Sequence, residues 1–164
     1  MFDLLSYQDL FDYFKKEREN LLPVLRNMSE EQFTKNRGLS FDSIKNVFAH
    51  TIIVEDNWLH YRTAGLGEIN KRVEDFRNLQ EIIEYMTEVD IKTTNFLNTI
   101  TSDDLKKLVK RTKPDGEEIM YPLGDVLYHI PIEMIHHYGE IFAELWKMNN
   151  NAPYYSYLDY RKKT

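Results

Sequence analysis

The chain has 164 residues, a formal net charge of −6 and no cysteine, and 42% of its residues are hydrophobic. This length predicts one domain over residues 1–164, and the composition excludes a disordered or low-complexity chain. The acidic balance argues against a nucleic-acid partner, and the lack of cysteine excludes disulfides, zinc ribbons and thiol nucleophiles on the protein itself. With no signal peptide or membrane span evident, we expect a cytoplasmic protein.

Apolar residues recur at helical spacing in four long segments. The first predicted helix covers about residues 7–25, and Pro23 is expected to kink it or end it early. The second covers about residues 41–62, follows Ser40 as the predicted N-cap, and is apolar over more than half of its circumference. The third covers about residues 79–100, behind the predicted N-cap Asn78.

The segment between the third and fourth helices is less regular. Its run Lys113-Pro114-Asp115-Gly116 predicts a tight turn between two short extended pieces, which would form a hairpin. The fourth helix is predicted over residues 123–148, and Pro131 is expected to bend it. The fold class predicted by these elements is an all-α four-helix bundle with a short hairpin before the last helix.

The residues after the fourth helix form a tail over residues 149–164 that is rich in tyrosine. We expect this tail to pack as an extended cover or to contact a partner chain. Its tyrosines are Tyr154, Tyr155, Tyr157 and Tyr160.

Side chains able to bind a metal ion concentrate on the fourth helix. Glu133 and His137 are four residues apart, so they lie on one helix face with Cβ atoms roughly 5–6 Å from each other. This spacing allows both to bind one ion, and a third ligand must then come from another helix. His50, in the middle of the second helix, is the remaining histidine deep inside an apolar segment. These three residues would line a cleft open to solvent.

The pattern leaves alternatives open, because a helix face rich in histidine and glutamate is also typical of solvated surface. His129 and His136 lie further toward the polar face, and either could replace Glu133 if that carboxylate pointed away. Asn57 and Trp58, about two turns beyond the histidine of the second helix, are candidates for the substrate-binding pocket. No basic cluster suited to a substrate carboxylate is evident near the candidate ligands.

The segment LYHIPIEMIHHYGEI, residues 127–141, resembles the last-helix signature of the DinB/YfiT-like family of metal-binding four-helix bundles. That signature has two ligand histidines four residues apart, followed by a glycine and usually a glutamine. The segment LSFDSI, residues 39–44, leading to FAH at residues 48–50, is similar to the family's second-helix entry, whose histidine is the third ligand.

The resemblance implies His50, Glu133 and His137 as metal ligands, with Glu133 where the common pattern has histidine and Glu140 where it has glutamine. A carboxylate is a good ligand for Zn²⁺, and two histidines with one carboxylate also suit Fe²⁺, Mn²⁺ or Ni²⁺. We therefore expect a divalent metal ion, with zinc as the first expectation. The carboxylate lowers the charge of the site and weakens its Lewis acidity.

The same resemblance implies a superfamily that contains thiol-dependent S-transferases, including bacillithiol-using enzymes, and a branch like maleylpyruvate isomerase. In that interpretation the metal binds a low-molecular-weight thiol as thiolate, and the thiolate attacks a small electrophile. The function prediction is therefore a metal-dependent thiol S-transferase. The alternatives are a non-catalytic metal-binding module for stress response or sensing, and a structural protein with surface histidines. The family resemblance and the tyrosine-rich tail also indicate a homodimer.

Overall fold

Four long helices dominate the chain, seen here as a computed structural model that describes residues 4–148, 152–153 and 156–162, with side chains from residue 7 onward. The helices are α1 Leu4–Arg26, α2 Glu30–Thr34, α3 Ile44–Asp56, α4 Leu79–Thr99, α5 Leu123–Lys147 and α6 Tyr157–Tyr160. The strands are β1 Leu108–Thr112 and β2 Glu118–Pro122. They pair antiparallel, with Val109 opposite Tyr121. A π-helical segment, Asn57–Arg62, continues α3, and 3₁₀ turns occupy Val73–Asp75 and Asp104–Lys106.

The helix α3 lies at the centre of the packing, against α5 and α4, while α1 packs against α5 and α4. Five of its apolar side chains have no solvent exposure: Ile44, Val47, Phe48, Ala49 and Ile52. This burial accounts for the apolar residues around most of its circumference, because such a helix needs neighbours on several sides. Contact between α3 and α5 brings the two helices with candidate ligands side by side.

A buried cluster of charged side chains fixes the orientation of α3 about its own axis. The guanidinium of Arg18 on α1 donates to Glu55 of α3 at 2.9 Å and pairs with Asp90 of α4 at 2.6 Å. Thr93 also donates to Glu55, at 2.6 Å. Residues five apart on a helix differ by about 140°, so anchoring Glu55 toward α1 and α4 leaves His50 on the side that faces α5.

The start of α3 differs from the prediction, and Ser40 as its N-cap is wrong. The N-cap is Ser43, whose hydroxyl accepts a hydrogen bond from the Asn46 backbone N–H at 3.2 Å. Residues 39–42 instead form a tight reversal, with the Asp42 N–H bonded to the Leu39 carbonyl at 3.0 Å and Asp42 at φ +67°. A residue with positive φ cannot continue a right-handed helix, so the helix begins after it.

The other long elements follow the prediction closely. Asn78 caps α4 by accepting from the Glu81 N–H at 3.0 Å, and the predicted hairpin is present, with Gly116 at φ +87° in its turn. Pro23 lies inside α1 without ending it, since α1 continues to Arg26. Pro131 lies inside α5 and is buried. The fold is therefore mostly helical, with the small sheet as a minor element.

The described part of the tail packs on α1. The rings of Tyr157 and Tyr160 lie 5.3 Å and 5.6 Å from the ring of Tyr13, centroid to centroid. Tyr154 and Tyr155 lie outside the described residues. Within the described ranges, no helix combines the length and apolarity needed to cross a membrane.

Candidate metal centre

Three side chains from α3 and α5 converge on one point. His50, Glu133 and His137 each offer a ligand atom, and these atoms all lie within 4.8 Å of one another. The Nε2 atom of His137 is 3.5 Å from a carboxylate oxygen of Glu133, and the His50 and His137 rings lie 4.8 Å apart at 81°. The structure thus brings together the three residues predicted from the sequence.

The orientation of His137 is fixed from behind by Glu140, which lies one turn along α5. The Nδ1 atom of His137 lies 2.9 Å from Glu140 Oε1. Because a carboxylate only accepts hydrogen bonds, this contact places a proton on Nδ1, which leaves Nε2, the nitrogen nearer Glu133, as the one that can bind a metal ion. Carboxylates commonly hold metal-ligating histidines in this way.

Ser40 holds Glu140 in turn. Its backbone N–H donates to Glu140 Oε2 and its hydroxyl donates to Oε1, both at 2.8 Å. Burial alone would raise the pKa of Glu140, but these bonds and the bond from His137 outweigh it and hold the pKa below its ordinary value. Glu140 is therefore an anion at neutral pH, as the His137 contact requires.

The surroundings of the His50 imidazole favour its neutral form, which can bind a metal cation. Its ring stacks on Phe41, with centroids 3.8 Å apart and planes at 23°. Burial, followed by the neighbouring His137 ring, lowers the pKa of His50 to about 4, although Glu133 and Glu140 act in the opposite direction. The ring is therefore neutral at physiological pH, which is the form that a metal ion needs.

Sequence reasoning missed the roles of Ser40, Phe41 and Glu140. The sequence pattern predicts Ser40 as a helix cap, whereas the reversal at residues 39–42 turns Ser40 and Phe41 toward α5. The signal available in the sequence was the three-residue spacing between His137 and Glu140, which places the two side chains on neighbouring positions of one helix face. No sequence signal pairs Ser40 with a residue a hundred positions away.

The remaining predicted residues lie outside the converging set and make other contacts. Asn57 accepts a hydrogen bond from the Ile69 backbone N–H at 3.0 Å and so holds the loop after the π-helical segment. Trp58 is buried with its ring 5.3 Å from that of His129. His136 is exposed on α5. Within the described part of the chain, the converging set contains Glu133 rather than His129 or His136.

The donor set fits a divalent cation. It combines two imidazoles, one already fixed in a single tautomer, with a carboxylate, and all three residues are only partly exposed or buried. Such a set suits Zn²⁺ and also Fe²⁺, Mn²⁺ or Ni²⁺. With three protein ligands, coordination positions remain for water or substrate.

Comparisons with known proteins agree with this architecture. The model of the DinB family matches residues 1–163. The Bacillus subtilis (strain 168) uncharacterized protein YizA is 23% identical over 131 residues, which is 80% of this chain and 80% of that protein. The crystal structure of a DinB-like protein from Bacillus cereus ATCC 10987 aligns with a TM-score of 0.59 at 14% identity, over 90% of this chain and 95% of that one. The structural match supports the fold.

Proposed function

Because the chain belongs to the DinB family, we propose that it is a divalent-metal-dependent enzyme that transfers a low-molecular-weight thiol to a small electrophile. The observation that carries the proposal is the convergence of His50, Glu133 and His137 within 4.8 Å. Zinc is the first candidate for the ion. We place the activity in the cytoplasm, where low-molecular-weight thiols are kept reduced.

The chain's own residues have separable tasks in this proposal. His50 and His137 supply neutral nitrogen ligands, and Glu133 supplies the negative charge that partly balances the cation. Glu140 and Ser40 keep the proton on His137 Nδ1, so that Nε2 remains a ligand. Phe41 covers the His50 ring and keeps water from its face. When bound, a divalent ion supplies Lewis acidity that lowers the pKa of a thiol or polarises an electrophile.

The absence of cysteine supports a borrowed thiol, since no nucleophilic sulfur is present on the protein itself. The site also faces solvent in part, because His50 and Glu133 are only half-buried. A small molecule can therefore reach the three ligands without local unfolding.

The test combines metal analysis with single-turnover assays. Untagged protein is expected to bind about one zinc ion per chain, and zinc-loaded protein is expected to conjugate bacillithiol or another small thiol to a chloronitroarene. His50→Ala and His137→Ala should each lose the ion and the activity while their circular dichroism stays helical. His136→Ala removes an exposed histidine next to His137 and should keep both properties. Activity that survives complete metal removal would overturn the enzyme proposal.

A non-catalytic metal-binding module is the second candidate, favoured by Glu133. A carboxylate ligand lowers the charge of a Zn²⁺ site from +2 to +1 and weakens its Lewis acidity. The same experiment separates the two functions: stoichiometric zinc without turnover across a panel of thiols and electrophiles would indicate binding or sensing. Protein that binds none of Zn²⁺, Fe²⁺, Mn²⁺ and Ni²⁺ would contradict both candidates.

A further inference from the structure

A cavity lies about one helical turn along α5 from the candidate ligand Glu133. Its volume is about 190 Å³, and it is lined by Trp58, Arg111, Tyr121, Asp125, Val126 and His129. His129 connects the two places, because it lies one turn before Glu133 on the same face of α5. The cavity joins four elements, since Trp58 comes from the π-helical segment, Arg111 from β1, Tyr121 from β2 and His129 from α5.

The inner wall of the cavity is aromatic and rigid. The Trp58 ring meets Tyr121 and His129 edge-on, with centroids 5.8 Å and 5.3 Å away and interplanar angles of 78° in both cases. The guanidinium of Arg62 lies 4.1 Å from the Trp58 ring centroid and is itself ion-paired with Glu68. These contacts hold the indole in place, so the wall is formed before any ligand arrives.

Arg111 supplies the positive charge of the cavity lining. Arg111 is exposed on the hairpin and has no ion pair in the part of the chain that the structure describes. Burial lowers the pKa of His129, and Arg111 and Arg62 lower it further while Glu133 acts in the opposite direction, so the Arg111 charge is felt at the His129 ring. Asp125, in the first turn of α5, also lines the cavity and brings one negative charge to it, so the acid-binding role falls on Arg111 alone. The sequence showed no basic cluster near the ligands, because Arg111 comes from a hairpin outside the four-helix pattern.

We propose that this cavity binds the carboxylate-bearing co-substrate, with Arg111 pairing to the carboxylate and Trp58 and Tyr121 contacting a flat apolar body. An arginine fork suits a carboxylate because it can donate two parallel hydrogen bonds. The inference rests on the proposed function in one respect. It assumes that a molecule bound in the cavity extends along α5 toward Glu133 and so reaches the metal-bound thiol. The carboxylate could belong to the electrophile or to the thiol.

Equilibrium binding tests the cavity without requiring turnover. The probes are 4-nitrobenzoate and its neutral methyl ester, titrated by calorimetry into metal-free and zinc-loaded protein. Metal-free protein excludes coordination of the carboxylate to an ion as the source of affinity. We expect 4-nitrobenzoate to bind both forms, and Arg111→Ala to weaken its binding about tenfold while leaving the ester within twofold.

The matched control is Lys110→Ala, which removes the same charge from the neighbouring hairpin residue, a lysine paired with Glu118. It should change binding of 4-nitrobenzoate by less than twofold. Trp58→Leu should weaken the acid and the ester alike. The inference is overturned if wild-type protein does not bind 4-nitrobenzoate, or if Arg111→Ala and Lys110→Ala have equal effects.

Two further measurements are needed. The first distinguishes failure of this inference from failure of the proposed function, and the second identifies which co-substrate carries the carboxylate. Normal 4-nitrobenzoate binding with no uptake of Zn²⁺, Fe²⁺, Mn²⁺ or Ni²⁺ would support the cavity while refuting the metal-dependent enzyme. In turnover assays, sensitivity of KM to Arg111→Ala for 4-chloro-3-nitrobenzoate, but not for 1-chloro-2,4-dinitrobenzene, assigns the carboxylate to the electrophile. Equal sensitivity for both assigns it to the thiol.

Discussion

At the scale of single residues, Glu140 determines which nitrogen of His137 is available as a ligand. Its contact with Nδ1, at 2.9 Å, is supported by two hydrogen bonds from Ser40, so one carboxylate joins α5 to the loop before α3. The ligands supply the charge and lone pairs, while Glu140 supplies orientation. Its replacement should therefore weaken metal binding without removing a ligand.

We predict that Glu140→Ala lowers zinc affinity about 10–100-fold, because His137 then loses the partner that fixes its tautomer. Competition against a chromophoric chelator measures the change. Glu140→Gln should keep most of the affinity, since its amide oxygen can still accept from His137. Glu88→Ala, at an exposed position on α4, provides the charge-matched control. Equal zinc affinities for Glu140→Ala and wild type would refute the orienting role.

Glu17 is expected to make the stability of the fold depend on pH, independently of the candidate metal centre. It is 7% exposed in the wall of an apolar cavity of about 490 Å³, and burial raises its pKa to about 7. The folded state therefore holds a proton that the unfolded state releases near pH 4.5. The contribution of protonated Glu17 to the free energy of unfolding is therefore fully present below pH 4.5 and is lost as the pH rises through about 7.

Glu17→Gln should remove this pH dependence. Relative to wild type, the variant should gain about 2 kcal/mol in free energy of unfolding between pH 5 and pH 8, a value reduced to allow for partial solvent access. Urea denaturation at the two pH values measures the difference. A variant whose stability relative to wild type is the same at both would show that Glu17 is not the responsible group.

At the scale of elements, two serines near the start of α3 have different roles: one stabilises the helix and the other contacts the candidate metal centre. Ser43 caps the helix and is 2% exposed, while Ser40 binds Glu140. We predict that Ser43→Ala costs about 1 kcal/mol of stability, whereas Ser40→Ala leaves stability within about 0.5 kcal/mol and weakens zinc binding. Thermal unfolding and chelator competition on both variants check this. Loss of stability in Ser40→Ala but not in Ser43→Ala would indicate that Ser40, not Ser43, caps the helix.

Much of the element order could be predicted because it follows from local sequence. Apolar spacing marks the four helices, and the run from Lys113 to Gly116 favours the turn of the hairpin through glycine and proline chemistry. The pair Glu133 and His137 follows from helical spacing alone. These features depend on residues a few positions apart, where backbone geometry leaves few choices.

What the sequence could not predict depends on distant contacts. The π-helical segment that carries Trp58 shifts the register of the following residues, and apolar periodicity does not distinguish it from an α-helix. Ser40 reaches Glu140 across a separation of one hundred residues. Arg111 approaches His129 only because the hairpin folds back toward α5. Each requires the tertiary arrangement.

At the scale of the whole molecule, the outer face of α5 is unusually apolar. Ile132, Ile135 and Trp146 are 50%, 57% and 65% exposed on one side of the helix. We propose that a second copy of the chain covers this stripe in a two-fold symmetric homodimer, in which the same patch is used by both subunits. The stripe points away from α3 and the candidate ligands, so pairing would leave the site accessible.

The homodimer predicts a molar mass twice that of the chain by light scattering after size-exclusion chromatography. Ile135→Asp should give a folded monomer, because it places a charge in the centre of the stripe. Ile91→Asp makes the same change at a 59% exposed position of α4 and should remain dimeric. A monomeric wild-type chain at micromolar concentration would contradict the homodimer.

Anomalous diffraction at the zinc edge, from crystals grown with equimolar zinc, tests whether His50, Glu133 and His137 bind one ion. We predict one strong peak per chain, within about 2.0–2.2 Å of a His50 nitrogen, a Glu133 oxygen and His137 Nε2. A peak bound by His129 or His136 instead, or the absence of any peak at the α3–α5 contact, would show that these three residues do not form a metal site.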